Sequence, residues 1–326
     1  MLRPAFSIKI GSEKLTQDSG DIISISVKRS MGLPIDSCEL VFAKGQEVDP
    51  DLKTQVDVDL GYDDRLNTVF AGSVDRVEYG IKNQKVTALG PSAALLRKKI
   101  SRVYSNQTAG KIVKDLAKEA EVKVGEASDG ISFPTYSIDD KVNTYKHILK
   151  LAGKCNFDVY SNEQRQLIFR AWSDGKRHSL EYGKDIISAT ALDTSPRYAS
   201  ASVRGESPSS SKGSDTATWL TKQLIKATAD WKIGNPLILD DPTIKDTRTA
   251  QSVAKAKIER VKYNIKVTAD AVGRSEVKLG DVVEIKEVPR SSINGEMQVT
   301  AVEHYLSKTK GFQTTVTGRR KGEGLE

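Results

Sequence analysis

Cysteine, histidine and long apolar runs are scarce in this sequence. Its 326 residues include two cysteines, Cys38 and Cys155, and three histidines. Two cysteines so far apart in the chain exclude a disulfide framework and a cysteine-based zinc site. No run approaches the ~18 apolar residues that a membrane helix requires, so no membrane span is expected. The stretch from Met1 to Ile10 also lacks the charged and then apolar pattern of a signal peptide.

The familiar sequence motifs of catalysis are absent as well. There is no HExxH pair, no GxSxG elbow and no GxxxxGK[ST] loop. His147 lies one residue before the apolar stripe of a predicted helix, where a surface or boundary position is expected. His178 is expected in a solvated turn, and His304 on the strand face opposite to that of Glu303. None of the three histidines lies in a pattern that indicates catalysis.

Neither the cysteines nor the acidic pairs form a recognisable site. Cys38 has strand-like neighbours and is expected in the core, and Cys155 follows a predicted helix end. A catalytic cysteine would need an activating histidine nearby in space. Asp139-Asp140 and Asp240-Asp241 are adjacent pairs, the second typical of a turn before Pro242. We therefore predict no catalytic, cofactor-binding or metal-binding residue and no enzyme activity.

The composition is that of an ordinary globular protein with a modest basic excess. The sequence has 50 Lys and Arg against 43 Asp and Glu, a net charge of +7, with 29% charged and 38% hydrophobic residues. The basic residues lack interleaved aromatics, so base-specific nucleic-acid recognition is not expected. A basic channel lining that meets a polyanion needs charge alone. The basic clusters are Arg97–Lys99 with Arg102, the set Lys255, Lys257, Arg260 and Lys262, and Arg319–Lys321.

The first ninety residues alternate apolar and polar side chains, which is the pattern of half-buried strands. The clearest strand is 56–60, and a hairpin is predicted over 74–89 with a polar turn at 80–84. Gly90-Pro91 ends this block, since Pro91 has no N–H to continue a ladder. Residues 1–90 are therefore predicted to form a small antiparallel barrel or sandwich.

Helical spacing replaces this alternation after residue 90. One helix is predicted to begin at the N-cap Thr108, and a second to run from Thr144 to Gly153, where the glycine is its C-terminal stop. The stretch 125–134 between them is predicted to be a loop. A hairpin over 157–169 follows. These elements indicate a compact α+β module.

The pattern is less regular from residue 171 onward. Short strands are predicted at 180–183, 186–189 and 201–205. Ser207–Gly213 gives the strongest loop signal, and its serine-rich composition predicts a mobile segment. A helix is predicted from Thr247 to Tyr263, and strands return after residue 265.

The two β-rich blocks resemble each other in sequence. Val74 and Val77 are preceded by a glycine and followed by a glutamate, and Val299 and Val302 repeat this arrangement with the same spacing. Any two hairpins share such a pattern by chance, and that alternative stays open. If the repeat is real, one chain carries two copies of one β module, and a ring of three chains presents six similar modules.

Several short patterns in a fixed order link the chain to a known family. In chain order they are VFAGSVDRV at 69–77, YSNQTAGKIVKDLA at 104–117, TYKHILKLAG at 144–153 with FDVY at 157–160, LEYGKD at 180–185, VRG at 203–205, LGDV at 279–282, ING at 293–295, VTAVEH at 299–304 and GFQT at 311–314. Together their order and spacing resemble the baseplate hub proteins of contractile phage tails, the late-control protein D family. The same hub fold forms the amino-terminal part of the valine-glycine repeat spike proteins of type VI secretion. The resemblance covers essentially the whole chain.

The resemblance implies a structural protein of a tail baseplate. Three chains would form a ring whose duplicated β modules make a pseudo-sixfold collar, joining a hexameric inner tube above to a trimeric spike below. A tape-measure protein or other cargo would pass through the lumen. The location would be the baseplate of a virion tail or injection particle, assembled in the bacterial cytoplasm. Spike-fused members continue into further domains, whereas this sequence stops at Glu326, so a separate spike protein is expected.

The sequence thus predicts an α+β fold that is mainly β, with two similar small antiparallel β-barrel modules of the tube type. An α+β module and a helical and loop insertion lie between them. The predicted parts are the first β module at 1–90, the α+β module at 91–170, the second β module at 171–205 and 265–320, the insertion at 206–264 and a tail at 321–326.

Two other functions stay open at this point. The α+β module at 91–170 could instead degrade or bind the cell wall, with His147 or Asp140 required for turnover. The basic clusters could instead bind nucleic acid, in which case the affinity would depend strongly on salt.

Overall fold

The alternating first ninety residues form seven strands around one core. The structure is a computed structural model that describes residues 3–18, 21–32, 35–45, 48–173, 175–206, 225–232 and 234–322. The strands are β1 (Pro4–Ile10), β2 (Glu13–Thr16), β3 (Ile22–Ser30), β4 (Ser37–Ala43), β5 (Gln55–Tyr62), β6 (Arg65–Tyr79) and β7 (Asn83–Leu89). They pair antiparallel in the order β3-β4-β7-β6-β5-β1-β2. Inward side chains from β1, β3, β4, β5, β6 and β7 meet in a single buried cluster, so the sheet curves around it.

The next part of the chain packs three helices against short strands. Its elements are α1 (Ser92–Arg97), β8 (Arg102–Thr108), α2 (Ala109–Glu119), β9 (Val124–Ala127), β10 (Ser132–Ile138), α3 (Thr144–Cys155), β11 (Asp158–Ser161) and β12 (Leu167–Arg170). The hydroxyl of Thr108 accepts a hydrogen bond from the Lys111 N–H, which confirms this residue as the N-cap of α2. Buried faces of α2 and α3 share a second hydrophobic cluster with these strands.

The remaining strands form a second large β unit with an insertion. In chain order the elements are β13 (Arg177–Glu181), β14 (Ile186–Asp193), β15 (Ser200–Gly205), β16 (Lys226–Asp230), β17 (Pro236–Asp241), α4 (Thr247–Val261), β18 (Ile265–Val272), β19 (Val282–Lys286), a 3-10 helix (Ser291–Ile293), β20 (Gly295–Ser307) and β21 (Gly311–Arg320). The predicted loop at 207–213 and residues 323–326 of the predicted tail lie outside the described residues. None of the helices in the described ranges is both long and apolar enough to cross a membrane.

The second β unit repeats the strand order of the first. Its order β14-β18-β21-β20-β19-β13 matches β3-β4-β7-β6-β5-β1. All of these pairs are antiparallel except β13 with β19, which is parallel. The predicted mainly β fold with two similar modules is therefore confirmed.

Two β-bulges are also repeated, and one of them explains the valine spacing in the sequence. The register shifts between Val74 and Arg76 in β6, and between Val299 and Ala301 in β20. Residues three apart on a regular strand face opposite sides, but one extra residue returns the second valine to the face of the first. A second matching shift lies between residues 22 and 24 in β3, and between residues 186 and 188 in β14.

The insertion has its own small sheet and core. β15 pairs with β16 and with β17, and α4 packs on this sheet through a separate hydrophobic cluster. The structure thus pairs β15 within the insertion, whereas the sequence interpretation grouped residues 171–205 with the second β module. The strand itself was predicted, but its partners are 20 or more residues away in sequence and were not.

Two local predictions are wrong. α3 does not stop at Gly153 but continues to Cys155, and Asn156 ends it in the left-handed conformation with φ of 56°. Asn tolerates this conformation better than most residues, because its short polar side chain bonds locally. The predicted loop at 125–134 contains parts of β9 and β10, each of which pairs with a strand elsewhere in the module.

Opposite effects are expected from alanine at these two positions. Gly153→Ala should stabilise the protein by about 0.5–1 kcal/mol, because it removes a helix-interior glycine and the nearest atom to the new Cβ is the flexible Lys257 Nζ at 3.3 Å. Asn156→Ala should destabilise it by about 1 kcal/mol, because alanine is strained at positive φ. Urea unfolding followed by circular dichroism measures both. A helix that ended at Gly153 would show the loss at Gly153 instead.

Candidate assembly interface

The two β modules are joined edge to edge through β3 and β20. These strands pair antiparallel, from Ser24 opposite Ser307 to Ser30 opposite Ala301, and the pairing unites both modules in one 13-stranded sheet. The side chains that point inward along this ladder are buried on both strands. We call this pairing the internal junction.

Arg29 of β3 lies buried in the internal junction where three parts of the chain meet. Its Nε donates to Asp36 Oδ2 at 3.3 Å, its Nη1 donates to the Glu163 carboxylate, and its Nη2 donates to the Ser161 carbonyl at 2.5 Å. Lys278 Nζ lies 3.3 Å from the second carboxylate oxygen of Glu163. This ion cluster links the first β module, the α+β module and the loop before β19.

Burial opposes charge on Arg29, Asp36 and Glu163, and the ionic partners outweigh it at Arg29 and Glu163. Burial would lower the pKa of Arg29, but the carboxylates of Asp36 and Glu163 hold it above its ordinary value. Burial would raise the pKa of Glu163, but Arg29 and Lys278 hold it below its ordinary value. For Asp36, burial outweighs Arg29 and the pKa is raised. Glu163, whose pKa is lowered, is therefore the main ionic partner of Arg29.

Removing the guanidinium should destabilise the protein far more than removing a neighbouring exposed charge. Arg29→Met leaves the Glu163 carboxylate buried without its main partner, so we expect a loss of about 3–5 kcal/mol. Lys28→Met is the matched control, because Lys28 is exposed and its Nζ lies 3.6 Å from Glu303. We expect it to change stability by less than about 1 kcal/mol. Equal losses for the two variants in urea unfolding would contradict this account.

His304 of β20 lies in the same junction. It is buried, whereas Glu303 is exposed, as predicted from their alternation. The ring Nδ1 lies 3.0 Å from Thr314 Oγ1, and the ring packs 5.9 Å from that of Phe312. Burial and, after it, the positive charge of Arg29 lower the pKa of His304 to about 3. The imidazole is therefore neutral in the folded protein.

His304 should make the folded protein less stable in mild acid. In the unfolded chain the histidine takes up a proton below its ordinary pKa of 6.5, whereas in the folded protein it does so only near 3. Its contribution to stability is complete above pH 6.5 and falls by about 1.4 kcal/mol per pH unit below it. His304→Gln should therefore show a shallower fall in unfolding free energy between pH 6.5 and 4.5. Parallel curves for wild type and variant would contradict the buried, neutral histidine.

The other two histidines are less exposed than predicted. His147 was expected at a surface or boundary, but it is buried, and its Nε2 lies 2.8 Å from the Asp139 carbonyl oxygen. His178 was expected in a solvated turn, but it lies in β13 with its Nε2 2.9 Å from Asp281 Oδ2. Both corrections have one cause, since each histidine meets an acceptor that packing brings to it. The exposed Asp140 makes no such contact with His147.

The cysteines and acidic pairs have structural surroundings. Cys38 is fully buried in the first core, as predicted, and burial raises its pKa above the usual range for thiols. Burial also raises the pKa of Cys155, at the end of α3, to about 11. Asp241 binds Lys154 Nζ and accepts a bond from the Thr243 N–H in a turn. Within the described ranges, no three or more His, Cys, Asp or Glu side chains come together in a way that could hold a metal ion.

Most residues of the predicted basic clusters have acidic partners or are partly buried. Arg102 binds both Asp115 and Glu119 on α2. Arg319 makes two bonds of 2.8 Å to the Asp158 carboxylate. Further members of the clusters with such contacts are Arg97 with Asp75, Lys262 with Glu259, and Arg320 with the carbonyls of Ser292 and Asn294. The clusters are therefore largely part of the fold.

Two of the unpaired edges among the described residues, at β14 and at the end of β6, belong to the strands that build the repeat. β14 pairs with β18 on one side only, and two of its large apolar side chains, Ile187 and Leu192, are exposed. The end of β6 pairs with β7 alone from Arg76 onward, and Tyr79 there and Ile81 in the turn that follows are exposed. Unpaired edges with apolar side chains are ready to pair with another chain. We call these the β14 edge and the β6 edge.

No family model matches this sequence, and neither does any curated protein. Solved structures, in contrast, match along the whole chain. The 43 kDa tail protein of prophage MuSo2 from Shewanella oneidensis has a TM-score of 0.72 at 16% sequence identity, covering 97% of this chain and 98% of that one. The tail protein from Neisseria meningitidis MC58 has a TM-score of 0.72 at 12% identity, covering 99% and 98%.

A third similar structure comes from a secretion machine. The E. coli c3393 protein, a type VI secretion component described as similar to the T4 tail proteins gp27 and gp5, has a TM-score of 0.65 at 11% identity, covering 97% of this chain and 77% of that one. At these identities the likeness concerns the fold. The chain has the fold that these phage tail and type VI secretion proteins share.

Proposed function

We propose that this protein is a structural baseplate hub of a contractile tail or injection system. Three chains form a ring with pseudo-sixfold symmetry, which adapts a hexameric inner tube to a trimeric spike. The observation that carries the proposal is the repeated β module, joined edge to edge within the chain and left with unpaired edges at β14 and β6. A closed ring removes such edges, which are otherwise a route to aggregation.

The similar structures support the same role. Two are named as tail proteins and one as a type VI secretion component, and each matches nearly the whole of this chain. The order of sequence patterns supports the narrower assignment to the late-control protein D family. In this proposal the tube protein binds above the ring, a separate spike protein binds below, and a tape-measure protein or other cargo occupies the lumen.

The four hydrophobic clusters suit the predicted division of the chain into modules. They lie in the first β module, the α+β module, the second β module and the insertion. In the proposed hub these are separate packing units around one shared sheet, and none of them serves as an enzyme. In this proposal the protein is part of the baseplate of a virion tail or injection particle.

The wall-acting alternative has one structural feature in its favour. A cleft of about 770 Å³ between the α+β module and the insertion is lined by Asp139, His147 and Glu206 among others. His147 is buried with its Nε2 engaged, so it is not free to act on a substrate. Turnover of purified peptidoglycan that is lost in Asp140→Ala would favour this alternative over the hub.

The mass of the assembled protein tests the hub directly. Sedimentation or mass photometry of the purified chain together with its tube and spike proteins should give a trimer. Electron micrographs of that species should show a ring with six similar subunit-sized features. A chain that stays monomeric in the presence of both partner proteins would overturn the proposal.

A further inference from the structure

The internal repeat relates each residue of the internal junction to a residue on a free edge. Val77 and Val302 correspond, because each follows the shared bulge and lies opposite a valine of the next strand. Ile25 and Ala189 correspond, because each lies opposite the matching position of β4 or β18. Residues 301–304 of β20 therefore correspond to 76–79 of β6, and residues 24–29 of β3 to 188–193 of β14.

Resting on the ring proposed above, we propose that the β14 edge of one copy pairs antiparallel with the β6 edge of the next copy, in the register of the internal junction. His304 lies opposite Val27 within the chain, so Tyr79 of one copy lies opposite Ala191 of its neighbour. By the same rule Glu78 lies opposite Leu192, the counterpart of Lys28 opposite Glu303. The contact is head to tail, with different edges on its two sides, as a closed cyclic ring requires.

Exposure along the two edges supports this pairing. Val302 is 2% exposed in the internal junction, whereas its counterpart Val77 is only partly buried. His304 is 2% exposed, whereas its counterpart Tyr79 is 69% exposed. Each free-edge residue lacks the neighbouring strand that covers its counterpart. A second copy of the chain, docked as β3 docks on β20, supplies that strand.

A leucine just outside the ladder shows the same difference. Lys53 N donates to the Val74 carbonyl at 2.8 Å, and Gly280 N donates to the Val299 carbonyl at 3.0 Å. These matched bonds make Leu52 the counterpart of Leu279. Leu279 is 6% exposed, whereas Leu52 is 63% exposed. The apolar surface left open by the free edge thus extends beyond the strands themselves.

The backbone can make the same ladder on both sides. The bulge near the start of β3 is repeated near the start of β14, so beyond it both strands present a regular edge, over 24–30 in β3 and 188–193 in β14. Since β6 ends at Tyr79, the proposed ladder is shorter than the internal junction. The β6 edge beyond Arg76 is free of β5, just as β20 beyond Ala301 is free of β19. A one-residue slip would turn each inward side chain outward, so the register is strongly specified.

Engineered disulfides test the register. In a Cys155→Ser background, where Cys38 stays buried, two double variants are made: Tyr79→Cys with Ala191→Cys, and Glu78→Cys with Leu192→Cys. Adjacent rungs alternate between wide and narrow spacing, so one of the two pairs has a spacing suitable for a disulfide. The matched control is Tyr79→Cys with Ala189→Cys, on the same face but two residues out of register. After mild oxidation we expect at least about fivefold more cross-linked trimer from the better registered pair than from the control.

The outcomes separate this inference from the hub proposal. A trimer by mass whose cross-links favour the control pair, or form with none of the pairs, overturns the register and leaves the hub intact. A chain that remains monomeric with tube and spike proteins overturns the hub itself.

A single charge gives a second measurement that does not depend on oxidation. Tyr79→Asp should abolish trimer formation while changing the thermal midpoint of the monomer little, because Tyr79 is 69% exposed within one chain. Val103→Asp is the control, since Val103 is an exposed apolar residue on β8 of the α+β module. A trimer of wild-type stability in Tyr79→Asp would overturn the proposed pairing.

Discussion

The antiparallel ladder between β3 and β20 is the contact on which the arrangement of the chain depends. It turns two separately wound β modules into one sheet, and it does so through backbone bonds that few side-chain changes can remove. Arg29 lies within this ladder and binds Glu163, so the position of the α+β module is fixed by the same contact. Because the guanidinium is buried, this arrangement is specific: moving either partner leaves a buried charge unpaired.

Much of the fold could be predicted from the sequence, because local alternation and caps determine the elements. The strands of the first block, the N-cap Thr108 and the repeated valine pair are all visible as patterns. The bulge in β6 was not predicted, although the spacing of Val74 and Val77 is consistent with it. Two valines three residues apart face the same side of a strand when one extra residue lies between them. Glycine and asparagine are both typical of helix ends. The sequence therefore could not show that α3 continues through Gly153 and ends at Asn156.

The candidate interface was harder to predict, because it depends on contacts between distant residues. Arg29 and Glu163 are 134 residues apart, and His178 and Asp281 are 103 apart. Neither pair has a spacing motif that sequence reasoning could recognise. His178 looked solvated because its local neighbours are polar, although packing brings Asp281 against it. Of the sequence features, only the repeat bore on the interface, because two copies of one β module in each chain predict six similar modules in a ring of three.

The repeat is faithful in its strands and unequal in its connections. Between β3 and β4 the chain has only six residues, 31–36, whereas between β14 and β18 it has the whole insertion within 194–264. A collar built from three such chains would offer six equivalent stretches of sheet but only three insertions, alternating with three short connections. Partners that contact the sheet would meet a sixfold surface, and partners that contact the insertions would meet a threefold one. A repeated β module with one long and one short connection thus allows a single polypeptide to present two symmetries.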